Sequence, residues 1–456
     1  MMLKHISVLF FVLGLAKAVW LGNLDARSHD PGNSILDSFV SYSIEFAFFV
    51  DFAGNLSMPN EFSYNLLANI GHLQRSDPIV RVGGSTQDKT TFNKSQEEGI
   101  INTWDYQKNK DQPIAISLGP AFFESYQTWH GKIPYIHGFD LATNGSEGIA
   151  TLKNTVPLFC KSLTSSNSAP WQIGNEPDQY TAFSRRPKSW NADSWVKEWK
   201  YKTQLIRSLV KKHCPNLAKG NNPLFYAPST SSLGGSPNVD AVWKAGLHKE
   251  KDIGFFDVHH YIAGATFPGI TLQGTLMNHS NTADSVDSYV KAMSSLNRNL
   301  PKVFGEANSL YGQGAPKLSN PFGAALWAAD FGLYSASKGI KRIHMHQGTN
   351  YRYGSWQPIE TSRGTKGTKA PYYGNIMVAA AVSDPERSGV TVQELKQDTA
   401  QDSAYAIYVG GCLSRIAIIQ MSAYNYTMDY TAPRKSKTFQ FRLPKEHRRD
   451  RVRGSG

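Results

Sequence analysis

The sequence predicts an α/β fold: a (β/α)8 TIM barrel carrying an appended C-terminal β-sandwich. Three observations carry this. Eight short β-rich runs alternate with stretches of helical spacing, no Gly-rich nucleotide fingerprint follows the first run, and β alternation replaces the helical spacing after about Asn350. Strand alternating with helix means right-handed βαβ units and a parallel sheet. A doubly wound open sheet is the alternative, but it binds nucleotides through a Gly-rich first turn. The turn here, VDFAGNLS, lacks one.

The runs are Val40–Phe49, Ile79–Val82, Ile114–Leu118, Trp171–Gly174, Leu224–Ala227, Phe255–His259, Lys302–Phe304 and Ile340–Met345. Helical spacing appears in Glu61–Leu73, Gly148–Leu163, Ser194–His213, Thr282–Leu296 and Pro321–Lys338. Together these place the barrel at residues 37–349. The β-domain follows at 350–456, with runs Ser403–Val409, Arg415–Met421 and Lys437–Leu443, and residues 19–36 are expected to pair with it. After Leu443 the chain reads PKEHRRDRVRGSG with no apolar face, which raises a truncated β-domain as an expectation, since an incomplete sheet leaves an unpaired edge.

The length of 456 residues fits a barrel of ~250 residues plus an accessory domain. The first 18 residues have Lys4, an apolar run Ile6–Leu15 and Ala16-Lys17-Ala18, the pattern of a cleaved signal peptide and hence of a secreted, extracellular protein. An uncleaved anchor is the other reading, but the run falls short of the ~20 residues a span needs. Five Asn-x-Ser/Thr sequons, at Asn55, Asn93, Asn144, Asn278 and Asn425, fit secretion. The three cysteines allow at most one intramolecular bridge; Cys160 with Cys214 and free buried thiols both stay open.

The net charge of +12 suggests an acidic partner until it is located. From Arg434 onward, nine Lys/Arg against two acids give the tail +7, and Lys4 with Lys17 add +2, leaving +3 for the body. A nucleic-acid-binding role gains no support, and no later segment is apolar enough for a membrane span. The oligomeric state is not legible.

Active sites of such barrels sit at the C-terminal ends of the strands. There the sequence places Arg81 to Asp88, Gly174-Asn175-Glu176-Pro177, His259-His260-Tyr261, Gly305-Glu306-Ala307 and His344-Met345-His346. Glu176 and Glu306 are the two carboxylates at strand ends four and seven. Glycosidic cleavage needs such a pair, one protonating the leaving oxygen and the other attacking carbon or activating water. Asn175 is placed to bond the sugar 2-hydroxyl. Glu45, Ser85, Thr86 and Asp88 are candidates for other sugar hydroxyls, with a packed turn as the alternative.

Two rivals remain at this level. His259-His260 and His344-x-His346 have the look of metal ligands, but strand eight offers no acid beside them. A non-catalytic lectin-like protein would have lost one carboxylate, and both are present. No metal and no cofactor is expected.

The set RVGGSTQD, QIGNEPDQY, DVHHY, VFGEANSLYG and HMHQGTNYRYG, spread from Phe39 to about Leu443, resembles glycoside hydrolase family 79, most of all its fungal β-glucuronidase branch. The resemblance implies a retaining enzyme with Glu176 as acid/base and Glu306 as nucleophile. It also implies a glucuronic-acid-containing glycan as substrate, terminal and with or without a 4-O-methyl group. The glucuronate carboxylate would be held by Tyr261, Tyr311, the Gly312 amide, and Tyr351 or Tyr353. Endo-acting, heparanase-like cleavage is the competing activity, but it wants a basic cleft, and a body charge of +3 offers little for one.

Overall fold

The computed structural model describes residues 19–444 apart from 29, 132, 164–168, 221, 223, 297–298 and 425–435. Residues 1–18, expected to be a signal peptide, the sequon Asn425, and positions 434–435 and 445–456 of the basic tail lie outside the described residues.

Eight parallel strands close into a barrel. In chain order they are β1 (Val40–Glu45), β2 (Val80–Gly83), β3 (Tyr135–Phe139), β4 (Trp171–Ile173), β5 (Phe225–Thr230), β6 (Ile253–Gly264), β7 (Lys302–Tyr311) and β8 (Arg342–Gln347). Pairing of β8 with β1, from Ile343 opposite Val40 to Gln347 opposite Ile44, shuts the ring. The apolar run that starts at Val40 stops being strand at Glu45. Phe46–Phe48 turn as a 3-10 helix and Phe49–Ala53 as a short α-helix, burying Phe46, Phe48, Phe49 and Phe52.

Two sequence assignments are corrected. The run Ile114–Leu118 does not supply the third barrel strand. Its residues Ala115–Leu118 lie in a side sheet, parallel to Thr90–Phe92 and antiparallel to Ile100–Thr103. The third strand is Tyr135–Phe139, YIHGF. Nor does the barrel end at residue 349. Helix Ala370–Ala381 packs against helices Phe322–Ser337 and Glu61–Gln74 and completes the eighth βα unit.

Beyond that helix, Val390–Glu394, Asp402–Val409 and Cys412–Gln420 form a three-stranded antiparallel sheet. Side chains along its middle strand alternate. Tyr405 and Ile407 join the main core, while Ala406 and Tyr408 pack with Leu24 and Leu413 in a small outer core. Val19–Asn23 runs parallel to Phe439–Arg442, and the chain then bonds along the sheet edge through Ser28 N to Gly411 O and Leu413 N to Ala26 O. Cys160 and Cys214 form a disulfide, and Cys412 is free. Among the described residues no helix is long and apolar enough to cross a membrane.

Candidate active site

Inward-pointing side chains of successive strands share one chemistry at the C-terminal mouth. Along β6, Asp257, His259 and Tyr261 are spaced by two and so face the interior together. His260 between them turns outward, bonding Ser285 Oγ at 2.9 Å and stacking on Phe331. Strand parity therefore splits the expected histidine pair, and the two rings serve different environments.

Glu176 stands three residues past the end of β4. Its backbone lies in the left-handed region (φ 48°, ψ 56°), leading into the turn Pro177–Gln179. Gly174 before it also has positive φ, and a Cβ there would meet Leu141 at 2.8 Å. The Glu176 amide donates to Ser229 O at 2.9 Å, and its Oε1 meets His259 Nδ1 at 2.9 Å. Its side chain stays 22% exposed to the cleft.

Glu306 lies within β7 with its side chain only 8% exposed. Arg81 Nη1 donates to its Oε2 at 2.6 Å and Tyr261 OH to its Oε1 at 2.7 Å. His346 Nδ1 and His259 Nδ1 stand 3.7 and 3.8 Å from Oε2. A carboxyl oxygen of Glu176 and one of Glu306 lie within 4.8 Å of each other.

These neighbours pull the two acids apart in pKa. Burial, then the charge of Glu306, pushes Glu176 up to about 8, against the pull of Arg81. Burial also opposes ionisation of Glu306. There the positive potential of His346, His259 and Arg81, with the Arg81 hydrogen bond, outweighs it and holds the carboxyl well below its usual range. Arg81 is the member of that set that cannot shed its charge. Two carboxyls that differ this way have the assignments of an acid and a carboxylate. A metal ion at Glu176, His259 and Glu306 would face the Arg81 guanidinium already bonded to Glu306, so the donor set suits a protonic site better than a metal.

Arg81 is the hub that sequence reasoning missed as a functional residue. Besides Glu306 it donates to Ser43 Oγ (2.8 Å), Gln172 Oε1 (2.8 Å) and Asn175 Oδ1 (2.7 Å). With Oδ1 of Asn175 taken, its NH2 is the end left for a ligand. One signal was available in the sequence: a lone arginine in an apolar barrel strand is tolerated only when paired.

Three candidate sugar contacts are engaged within the protein, as the packed-turn alternative expects. Glu45 is buried, and its oxygens accept from Thr86 N, Thr86 Oγ1, Gln112 Nε2 and Tyr351 OH, with His346 Nε2 at 3.3 Å. Thr86 is spent on Glu45 and on the Ala47 amide. Asp88 is buried and accepts from the Leu141 and Asn175 amides and from Tyr180 OH. Their polar capacity serves the wall of the site. Gly84 makes that wall possible, since a Cβ there would lie 2.5 Å from Glu45. Ser85 is less buried and bonds Gln112. Gln112 and the Asp111–Arg352 pair (2.7 and 2.9 Å) tie the loop before the side-sheet strand to this rim.

The tyrosines divide as well. Tyr351 is buried on Glu45, and Tyr261 is committed to Glu306. Tyr353 packs with its ring 6.1 Å from that of Tyr261. Tyr311 is 45% exposed, with its ring against Tyr261 and Phe267, and Gly312 follows it in a positive-φ turn. Burial first, then Glu306, raises Tyr261 well above its ordinary value, so it stays a proton donor.

A closed parallel barrel with one glutamate just past β4 and its pair on β7 defines a glycoside hydrolase of the (β/α)8 class. Solved structures agree on the fold. A 4-O-α-L-rhamnosyl-β-D-glucuronidase of Fusarium oxysporum 12S aligns with TM-score 0.69 at 24% identity over 88% of this chain and 81% of its own. A family 51 α-L-arabinofuranosidase of Bifidobacterium longum gives 0.52 at 13% identity, over 86% and 85%. No family model matches the chain. Curated relatives are nearer in sequence. A β-glucuronidase of Neurospora crassa is 46% identical over 444 residues, 91% of this chain and 79% of the relative. One of Aspergillus niger is 46% identical over 428 residues, 91% and 78%. The chain belongs to the fungal β-glucuronidase family.

Proposed function

We propose that this protein is a retaining β-glucuronidase that releases terminal β-linked glucuronic acid, or its 4-O-methyl form, from glycans outside the cell. The observation that carries the mechanism is the pair of carboxyl oxygens within 4.8 Å. Retaining glycosidases hold their carboxyls ~5 Å apart, whereas inverting ones leave ~6.5–9.5 Å for a water. Glu306, ionised and fixed by Arg81 and Tyr261, attacks the anomeric carbon. Glu176 gives its proton to the departing oxygen. In the second half, Glu176 takes a proton from water, which displaces Glu306 and frees the sugar with its configuration kept.

Asn175 offers its NH2 to the 2-hydroxyl, a contact that strengthens as the ring flattens. For the glucuronate carboxylate we favour Tyr311 and the Gly312 amide as direct donors. Tyr353 and Tyr261 stand behind them, because the Tyr261 proton is already engaged with Glu306. The exposed sequons Asn55, Asn93 and Asn144 and the half-buried Asn278 are open to glycosylation on a secreted chain.

The test compares p-nitrophenyl β-glucuronide with the β-glucoside, using proton NMR to read the first-formed anomer. Glucuronide preference and a β-anomer are expected. Preference for glucoside would overturn the carboxylate assignment, and an α-anomer would overturn retention. Glu306→Gln should abolish turnover.

A further inference from the structure

We infer that Asp257, one inward-facing position before His259 on β6, is the positioning residue that sets the spacing of the two catalytic glutamates, by pinning a β-bulge on each neighbouring strand. The inference rests on the two-glutamate reading above.

Asp257 is fully buried on β6. On one side, β5 pairs Pro228 with Asp257 and Thr230 with Val258, so Ser229 is an extra, unmatched residue, at φ 56°. On the other side, β7 pairs Phe304 with Val258 and Glu306 with His259, so Gly305 is unmatched. An extra residue of this kind re-aims the side chains beside it, and bulges gather next to active sites for that reason.

Each bulge is bonded to the same carboxylate. Gly305 N donates to Asp257 Oδ1 at 2.8 Å, and Ser229 Oγ donates to Oδ2 at 2.5 Å. Each bulge also aims one glutamate. Gly305 immediately precedes Glu306, and Ser229 O accepts the Glu176 amide. A third arm runs from Gln172 Nε2 to Oδ2 at 3.3 Å, and Gln172 Oε1 in turn accepts from Arg81, the holder of Glu306. Glycine is required at 305 because a Cβ there would fall 2.2 Å from Asp257 Oδ1. The side chains two and four residues further along β6 finish the task, His259 on Glu176 and Tyr261 on Glu306. One strand thus measures the gap: Asp257 fixes both backbones and its neighbours fix both carboxyls.

The balance of donors says what substitution does. Three donors meet the two oxygens of Asp257. An asparagine keeps an acceptor for Gly305 but turns NH2 toward the Gln172 amide, donor against donor. A misplacement near 1 Å costs ~100-fold in rate. Asp257→Asn is therefore expected to lower kcat at least ten-fold on p-nitrophenyl β-glucuronide with KM little changed. The alkaline limb of its pH profile should also move to lower pH, because carboxyls further apart repel less and Glu176 releases its proton sooner. A loss of packing alone would lower the active fraction and leave the limb in place. Ser229→Ala cuts only the Glu176 arm and covers the case in which Asp257→Asn does not fold; it should shift the same limb in the same direction. Wild-type kcat and an unmoved limb in a folded Asp257→Asn, or an unmoved limb in Ser229→Ala, would overturn the inference. Glu306→Gln, run beside them, separates the premises: if that variant turns over at wild-type rate, it is the two-glutamate reading that fails.

Discussion

Replacing Arg81 with methionine removes the permanent charge bonded to Glu306, the proposed nucleophile, while keeping most of the volume. Arg81 is 1% exposed and donates to Glu306, Ser43, Gln172 and Asn175. Breaking a buried pair by deleting one partner costs about 3–5 kcal/mol, because the other charge stays buried without compensation. Glu306 keeps the Tyr261 hydrogen bond, so the lower end, about 3 kcal/mol, applies. The sign with pH follows from linkage. A carboxyl held below its ordinary value contributes stability that is present above its unfolded value and lost as pH falls through the folded one. In the variant the folded value climbs, so the penalty is full near neutral pH and shrinks under acid conditions, where Glu306 takes a proton. Urea unfolding at about pH 7 and about pH 4 measures this as a gap in midpoints that narrows on acidification. Turnover should fall about 100-fold, since Asn175 and Glu306 lose their common holder. An equal penalty at both pH values, or a near-wild-type kcat, would refute the account of Arg81 as the charge that keeps Glu306 ionised.

Other outcomes follow from the same geometry. Because burial and Glu306 push Glu176 up to about 8, kcat/KM should hold below that pH and fall as pH rises through it, once the acid has lost its proton; a rate profile still flat at about pH 9.5 would contradict the acid role. His279 joins the barrel to the C-terminal sheet, bonding Asp330 (3.0 Å), which also accepts from Tyr405 OH, and Glu394 (3.3 Å). Burial alone would lower its pKa, but Asp330 and Glu394 raise it to about 9, so its stabilisation is complete below the ordinary histidine value and lost as pH rises through about 9. His279→Leu should cost about 2 kcal/mol at neutral pH, with the difference from wild type fading in alkaline melts. Cutting the Cys160–Cys214 bridge, which closes 54 residues of chain, with a double serine variant should cost about 4 kcal/mol on the chain-entropy account; a change below about 1 kcal/mol in chemical denaturation would reject it.

Most of the barrel was legible because its strands are short apolar runs between helices of clear period. Where reading went astray, a local signal competed. Tyr135–Phe139 carries His137 and Gly138 in its middle and does not look like a buried strand, while Ala115–Leu118 does, although it belongs to an excursion. Helix Ala370–Ala381 has Pro371, Gly374 and apolar residues around most of its surface, so no stripe marks it. At the site, the two glutamates stood out because glycosidic cleavage needs a pair of carboxyls and these follow apolar runs four and seven at the barrel mouth. Whether a polar residue near them faces a ligand or the wall depends on partners distant in sequence. Glu45 meets Gln112 and Tyr351, and Asp88 meets Leu141 and Tyr180, pairings that no spacing rule contains.

The left-handed backbone of Glu176 has a consequence for how such a protein ages under selection. A side-chain-bearing residue in that conformation costs about 1–3 kcal/mol relative to one at ease. Glycine at that position would relieve the cost and delete the proposed proton donor in one step. Screening libraries for heat resistance alone would thus reward inert chains here, and a hardened variant of this enzyme has to be chosen by its turnover as well as its melting.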